Sequence, residues 1–277
     1  MKDGPSGQSL SRSRRPIGVF DSGLGGLTVV REIRRGLPSE FVVYFGDTAR
    51  LPYGTKSREQ ILRFSIQNTL FLLRHNIKAL VIACNSSASA ATSFLKAHFN
   101  LPILDVIQPS IEAAAEATRS GRMGVIATQA TIDSGVYEKA LRKINPRIRI
   151  FTAACPLFVP LVEEGWVRGE IPTRVAESYL APLVKKKIDV LMLGCTHYPL
   201  LKQTIQQVAG KGVRLIDSAL PTVKKLTFLL QKKGLSYPKR CASELKIYVS
   251  DRPRNFARMG ESFLGERLNH VELVRQK

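Results

Sequence analysis

Cys84 and Cys195 are the residues whose types and settings point most directly to chemistry. Cys84 stands in Ala83-Cys84-Asn85-Ser86-Ser87-Ala88 and Cys195 in Gly194-Cys195-Thr196-His197-Tyr198-Pro199. Each follows a short apolar run and is flanked by amide or hydroxyl side chains, which are donors suited to a carboxylate. A thiol at a helix start feels the positive end of the helix dipole, which is expected to lower its pKa from about 8.5 toward neutrality. A lone cysteine behind a buried strand is usually a small core residue; two in matching settings are harder to explain that way. Cys155 and Cys241 lack such a setting and read as structural. His197 is placed to act as an acid or base beside Cys195, or as a satisfied structural histidine. No C-x-x-C or H-x-x-x-H spacing occurs, so no metal site is expected.

Further polar groups cluster at the ends of apolar runs. Asp21-Ser22-Gly23-Leu24-Gly25-Gly26 follows the first such run. It looks like a dinucleotide loop, but threonine stands at position 28, where the third glycine of that motif belongs, and there is no phosphate-loop lysine. Its glycines are expected to let the backbone approach a small ligand, with helix N–H groups ready for an anion. Gly46-Asp47-Thr48-Ala49-Arg50-Leu51-Pro52-Tyr53-Gly54 is a loop ending in a Pro-Tyr-Gly turn. Thr128 and Thr131 offer hydroxyls, although threonines in such places also serve as helix caps. Glu163 and Glu164 follow the apolar run 157–162 and also suit an exposed helical face.

The elements that must position these groups alternate between short apolar runs and longer amphipathic ones. This is the pattern of an α/β protein with mostly parallel sheets. Residues 17–20, 41–45 and 79–83 read as strands. Residues 27–35 read as a helix, and Ser57 with Gln60 as the opening of another. The second half echoes the first. Ile17-Gly18-Val19-Phe20-Asp21-Ser22 is matched by Met123-Gly124-Val125-Ile126-Ala127-Thr128, 106 residues later. Ile77 through Asn85 is matched by Ile188 through Thr196, 111 residues later. Two echoes at nearly one spacing imply a duplicated unit. Ligands in open α/β sheets bind at the carboxyl ends of strands, so two such halves facing each other would set Cys84 and Cys195 on opposite walls of one cleft.

The 277 residues are 44% hydrophobic and 23% charged, ordinary globular values that argue against disorder and against a disulfide scaffold. Four cysteines read as free thiols in a reducing compartment, and no apolar run is long enough to span a bilayer. The reading is of a soluble cytoplasmic protein. Residues 1–15 are polar and rich in Ser, Gly and Arg, and read as a disordered tail. The net charge is +20, of which 16 basic against 6 acidic residues after position 201 supply +10. It predicts attraction to acidic small molecules or polyanions. The basic pairs are dispersed, however, with no RNA-binding aromatic pattern between them, so nucleic acid is not the expected partner.

Residues 18–26, 46–54, 83–85 and 193–199, in this order, resemble the glutamate racemases, a likeness that runs from Pro16 to at least Thr222. The resemblance implies cofactor-independent interconversion of L- and D-glutamate, supplying D-glutamate for cell-wall peptidoglycan. It implies two α/β domains in pseudo-twofold arrangement: residues 16–108 with 218–277, and residues 109–217, with the site between them. Carried over residue by residue, Cys84 and Cys195 become the two acid/base groups, assisted by Asp21, His197 and Glu163. Ser22, Pro52, Tyr53, Gly54, Asn85, Ser86, Thr128, Thr131 and Thr196 line the substrate pocket. Ser86 departs from the family's usual threonine, keeping the hydroxyl and losing a methyl. A homodimer is also implied. An aspartate racemase of the same superfamily is the nearest alternative, although residues 50–54 favour glutamate. A basic nucleic-acid- or protein-binding module on a racemase fold is the alternative from another class.

Overall fold

A computed structural model describes residues 12–238 and 244–275. From the N-terminal side the chain runs β1 (Ile17–Asp21), α1 (Leu27–Gly36), β2 (Val42–Gly46), α2 (Arg58–Leu73), β3 (Ala79–Ile82), α3 (Asn85–His98), β4 (Ile103–Asp105) and α4 (Ile107–Ala117). The second half follows with β5 (Arg122–Ala127), α5 (Gln129–Asp133), α6 (Val136–Ile144), β6 (Arg149–Ala154), α7 (Phe158–Glu163), α8 (Glu170–Val184), β7 (Val190–Gly194), α9 (Lys202–Ala209) and β8 (Arg214–Asp217). It ends with α10 (Ala219–Lys232), β9 (Leu245–Val249), α11 (Pro253–Leu264) and β10 (Glu272–Leu273). Strands β1, β2, β3 and β7 are buried along their whole length, which is why they read as continuous apolar runs and not as alternating ones.

Two parallel sheets result, ordered β10-β9-β2-β1-β3-β4 and β6-β5-β7-β8. The segment β2-β1-β3-β4 of the first has the same topology as the whole of the second. The register agrees as well: Ile17 pairs with Ala79 across β1 and β3, and their sequence echoes Met123 and Val190 pair across β5 and β7. In each sheet the chain reverses its direction of growth beside these two strands, so the crevice at their carboxyl ends is where this topology places a ligand. The first sheet draws its strands from residues 17–105 and 245–273, and the second from residues 122–217. α4 packs on the second sheet, while α10 packs on α1 of the first. No helix of the described residues is long and apolar enough to cross a membrane.

Residues 12–15 depart from the expected disordered tail; residues 1–11 lie outside the described residues. Ser13 is buried, and its carbonyl accepts from Lys78 Nζ at 2.6 Å. Lys78 also pairs with Glu40, whose Oε1 accepts from the Tyr237 backbone N–H at 2.8 Å. A fully buried ammonium needs an anion and further acceptors, and the carbonyl of residue 13 is one of them, so this segment docks without any apolar residue. Lys78→Met leaves the Glu40 carboxylate buried without its counter-ion. The expected cost is about 3–5 kcal/mol, read as a lowered urea midpoint; an unchanged midpoint would show that the pair contributes nothing.

Candidate active site

Asp21 ends β1, Ser22 follows it, and Cys84 follows β3, so the crevice of the first sheet presents a carboxylate, a hydroxyl and a thiol. Cys84 forms the N-cap of α3, with its sulfur accepting from Ser87 N–H at 3.5 Å and lying 3.7 Å from Ser22 Oγ. It is 5% exposed. The helix dipole does not have the effect expected from sequence. Burial and the nearby Asp21 charge push the thiol up to about 12, against the lowering influence of the Ser22 and Ser87 hydrogen bonds. Asp21 is itself fully buried. Burial raises its pKa, opposed by the His197 charge, the N–H groups of Gly23 and Gly26 and the Thr196 hydroxyl.

The crevice of the second sheet supplies the other wall. Cys195 follows β7, is 7% exposed, and leads through Thr196 and His197 into a single 3-10 turn before α9. It therefore does not cap an α-helix, and its partner is a side chain: His197 Nδ1 lies 3.9 Å from its sulfur. The opposite ring nitrogen, Nε2, is 3.2 Å from Glu163 Oε1 at the end of α7, and the ring packs edge-on against Phe263 of α11. Burial disfavours the imidazolium, but the hydrogen bonds and charges of Cys195 and Glu163 outweigh it, and the pKa is pushed up to about 10. Of the two neighbouring glutamates, Glu163 turns inward to this histidine while Glu164 is exposed.

This raised value carries a sign. His197 is expected to titrate near 6.5 in the unfolded chain, so its stabilising contacts are fully present below that pH and are lost as pH rises through about 10. The thermal midpoint of the wild type should accordingly fall more steeply between pH 7 and pH 10 than that of His197→Asn. Parallel curves for the two proteins would remove the charged histidine from the site.

Hydrogen bonds across the two halves bring the predicted residues together. Thr196 Oγ1 donates to Asp21 Oδ1 at 3.4 Å, and Thr28 Oγ1 reaches the Thr196 carbonyl at 3.3 Å. Ser86 Oγ lies 3.0 Å from Thr128 Oγ1 and 3.4 Å from Thr131 Oγ1, and the two threonine hydroxyls are 3.0 Å apart. Thr128 occupies the N-cap position of α5 without making the side-chain cap bond, because its hydroxyl belongs to this cluster. The hydroxyl of Ser86 is thus engaged with both threonines of the other half. Gly25 has a reason within the protein itself for lacking a side chain. A Cβ on Gly25 would lie 2.1 Å from Thr196 Oγ1 and 2.6 Å from His197 Nδ1, so the loop is tight against the opposite wall of the protein itself. Gly54 likewise abuts Thr128.

Tyr53 directs its hydroxyl into the scaffold of the first half. Its hydroxyl bonds Asp47 Oδ2 and accepts from Asn68 Nδ2 at 3.2 Å, while its ring packs in an apolar group with Cys84, Phe64 and Ile61. What this residue presents near Cys84 is ring and not hydroxyl. Pro52, before it, is exposed. Arg50 serves the same scaffold, donating to Asp47 Oδ2 at 2.6 Å and to Asn68 Oδ1 at 3.0 Å. Cys155 is fully buried, as a structural cysteine should be; Cys241 lies outside the described residues. Sequence reasoning missed Tyr44, whose hydroxyl donates to the Gly23 carbonyl at 2.6 Å, and Tyr137, bonded to Asn85 Oδ1 at 2.9 Å. It also missed Phe263. All three are nearly fully buried aromatic residues that nothing in the sequence separates from ordinary core.

Comparison with known proteins gives the chain its relatives. The family described as Asp/Glu/Hydantoin racemase matches residues 17–226. The chain is 47% identical over 260 residues to the glutamate racemase of Geobacter metallireducens, covering 94% of this chain and 96% of that protein. It is 48% identical over 259 residues to the glutamate racemase of Syntrophus aciditrophicus, with the same coverage of both. Among solved structures, glutamate racemase from Francisella tularensis in complex with D-glutamate superposes with a TM-score of 0.90 at 41% identity, covering 96% of this chain and 99% of that one.

Proposed function

The chain belongs to the Asp/Glu/Hydantoin racemase family, among its glutamate racemases, and on that premise we propose that it interconverts L- and D-glutamate by moving a proton at Cα between two thiols, without a cofactor. The observation that carries this reading is the equivalence of Cys84 and Cys195. Each follows the equivalent strand of a repeated unit, and Thr196, next to Cys195, bonds Asp21 of the half that holds Cys84. Racemisation removes a proton from one face of Cα and returns one to the other, so it needs a base on each side.

The two thiols have different neighbours. His197, held by Glu163, sets Nδ1 3.9 Å from the Cys195 sulfur, while burial beside Asp21 keeps Cys84 protonated. Cys195 then takes the Cα proton in one direction as Cys84 donates from the opposite face, and the reverse direction exchanges the roles. A thiolate is a weak base toward carbon, so the negative charge developing on the substrate must be stabilised. The hydroxyls of Ser86, Thr128 and Thr131 and the amide of Asn85 form a fixed donor set for a carboxylate, and preorganised donors of this kind contribute about 2.7–4 kcal/mol each. Asp21 assists at Cys84, as His197 and Glu163 do at Cys195. In this reading the enzyme works in the cytoplasm and its product supplies cell-wall peptidoglycan.

Purified protein without added cofactor should racemise glutamate in heavy water. L-glutamate should give D-glutamate carrying deuterium at Cα, while L-glutamate recovered early stays protonated, and the reverse run should mirror this. Proton NMR with chiral chromatography reads both. Deuterium appearing first in the recovered substrate would point to one base instead of two, and preferential turnover of aspartate in the parallel assay would move the substrate assignment.

A further inference from the structure

Tyr137 lies 2% exposed at the start of α6, in the second half of the protein, and looks in sequence like an ordinary core aromatic. Its hydroxyl donates at 2.9 Å to Oδ1 of Asn85, which is 3% exposed, belongs to the first half and follows Cys84 directly. The same oxygen lies against the residue before the other thiol, since a Cβ built on Gly194 would come within 3.1 Å of it. One phenol therefore touches the immediate neighbours of both cysteines. Burial and the charges of Asp105 and Cys195 hold its pKa far above the ordinary value, so it remains a donor at any working pH.

An asparagine amide has two ends of nearly equal shape and opposite chemistry, and a hydrogen-bond partner decides which end faces where. Here the phenolic proton takes Oδ1. The other end, Nδ2, is buried and has no protein partner, a cost that a structure rarely carries unless a ligand meets the group. Resting on the racemase reading above, we propose that Tyr137 is a positioning residue. It locks the Asn85 amide so that Nδ2 donates to a carboxylate of bound glutamate. A flipped amide would set an acceptor toward the substrate anion and leave the phenolic proton without its acceptor.

The test uses the full-length protein and three variants: Tyr137→Phe, Asn85→Ala and the double substitution. Tyr137→Phe keeps the ring and removes the proton. It should raise KM for glutamate about tenfold, the effect of one lost hydrogen bond, with a smaller change in kcat. Because Tyr137 acts through Asn85, adding Tyr137→Phe to Asn85→Ala should cost nothing further. A wild-type KM in Tyr137→Phe, or losses that multiply in the double variant, would overturn the proposal. If Tyr137→Phe does not fold, Asn85→Asp decides. It still accepts from the phenol but turns an acceptor toward the substrate, so its KM should exceed that of Asn85→Ala, and a KM equal to or below it overturns the proposal. A wild-type protein that does not turn over glutamate would overturn the racemase reading and this inference with it. Normal wild-type turnover with multiplying losses would overturn the inference alone.

Discussion

Serine in place of Cys84 or Cys195 should lower glutamate racemisation by about 10²–10⁴-fold, the range that a positioned acid or base contributes. A serine hydroxyl is a far weaker acid than a thiol, so at neutral pH it supplies almost no conjugate base, and the dependence on ionisation makes the loss large. The substitution exchanges sulfur for a smaller oxygen at positions 5% and 7% exposed, so the fold should survive with a thermal midpoint close to that of the wild type. The variants should also differ in kind. Cys195→Ser leaves His197 paired with Glu163 but facing a hydroxyl in place of the sulfur. Cys84→Ser removes the group held protonated beside Asp21. Each then retains a competent base on one face only, so exchange of the Cα proton with solvent should persist for a single enantiomer. Near-normal racemisation in either variant would return that cysteine to the core.

The second large effect comes from a residue with no side chain. Gly25→Ala should reduce kcat/KM by about 100-fold, the scale associated with an ångström-sized misplacement of catalytic groups. The backbone at position 25 has no positive φ, so alanine suits it conformationally. The difficulty is the opposite wall. The new methyl would stand 2.1 Å from Thr196 Oγ1 and 2.6 Å from His197 Nδ1, the ring atom facing the sulfur of Cys195. Either the histidine turns away from its thiol, or the two halves part and carry Cys195 away from Cys84; both spoil the geometry that a proton transfer at Cα needs. Gly212→Ala is the control, since a Cβ there meets nothing within 4 Å. Full activity in Gly25→Ala would mean that the loop yields and that its glycines serve only the turn.

The repeat was legible in sequence because a parallel strand buried on both faces leaves a continuous apolar signature. The offsets of 106 and 111 residues correspond to the pairing of Ile17 with Ala79 and of Met123 with Val190. Cys84, Cys195, Asp21 and His197 were legible because their chemistry is scarce and each follows a strand. Their electrostatics were not. The helix start of Cys84 suggested a lowered pKa, yet what decides it is burial and a carboxylate sixty-three residues earlier in the chain. Tyr53 shows the same limit. Residues 52–54 look like a ligand turn, and nothing local tells that Asp47 and Asn68 hold the phenol from behind. Residues 12–15 were misread because docking was judged by apolar content, whereas a buried lysine recruited a backbone carbonyl.

The unequal surroundings of the two thiols are constrained by thermodynamics. Mirror-image amino acids have equal free energies in water, so the equilibrium constant of their interconversion is unity, and detailed balance requires kcat/KM to be the same in both directions. No asymmetry of the protein can alter that ratio. The imidazolium beside one sulfur and the buried carboxylate beside the other must therefore express themselves elsewhere, as matched inequalities in kcat and KM. The enantiomer that these unequal surroundings hold more tightly should saturate the enzyme at lower concentration and turn over more slowly at saturation. At low concentration the two directions remain indistinguishable, so progress curves begun from either pure isomer should coincide there and diverge only as the site fills.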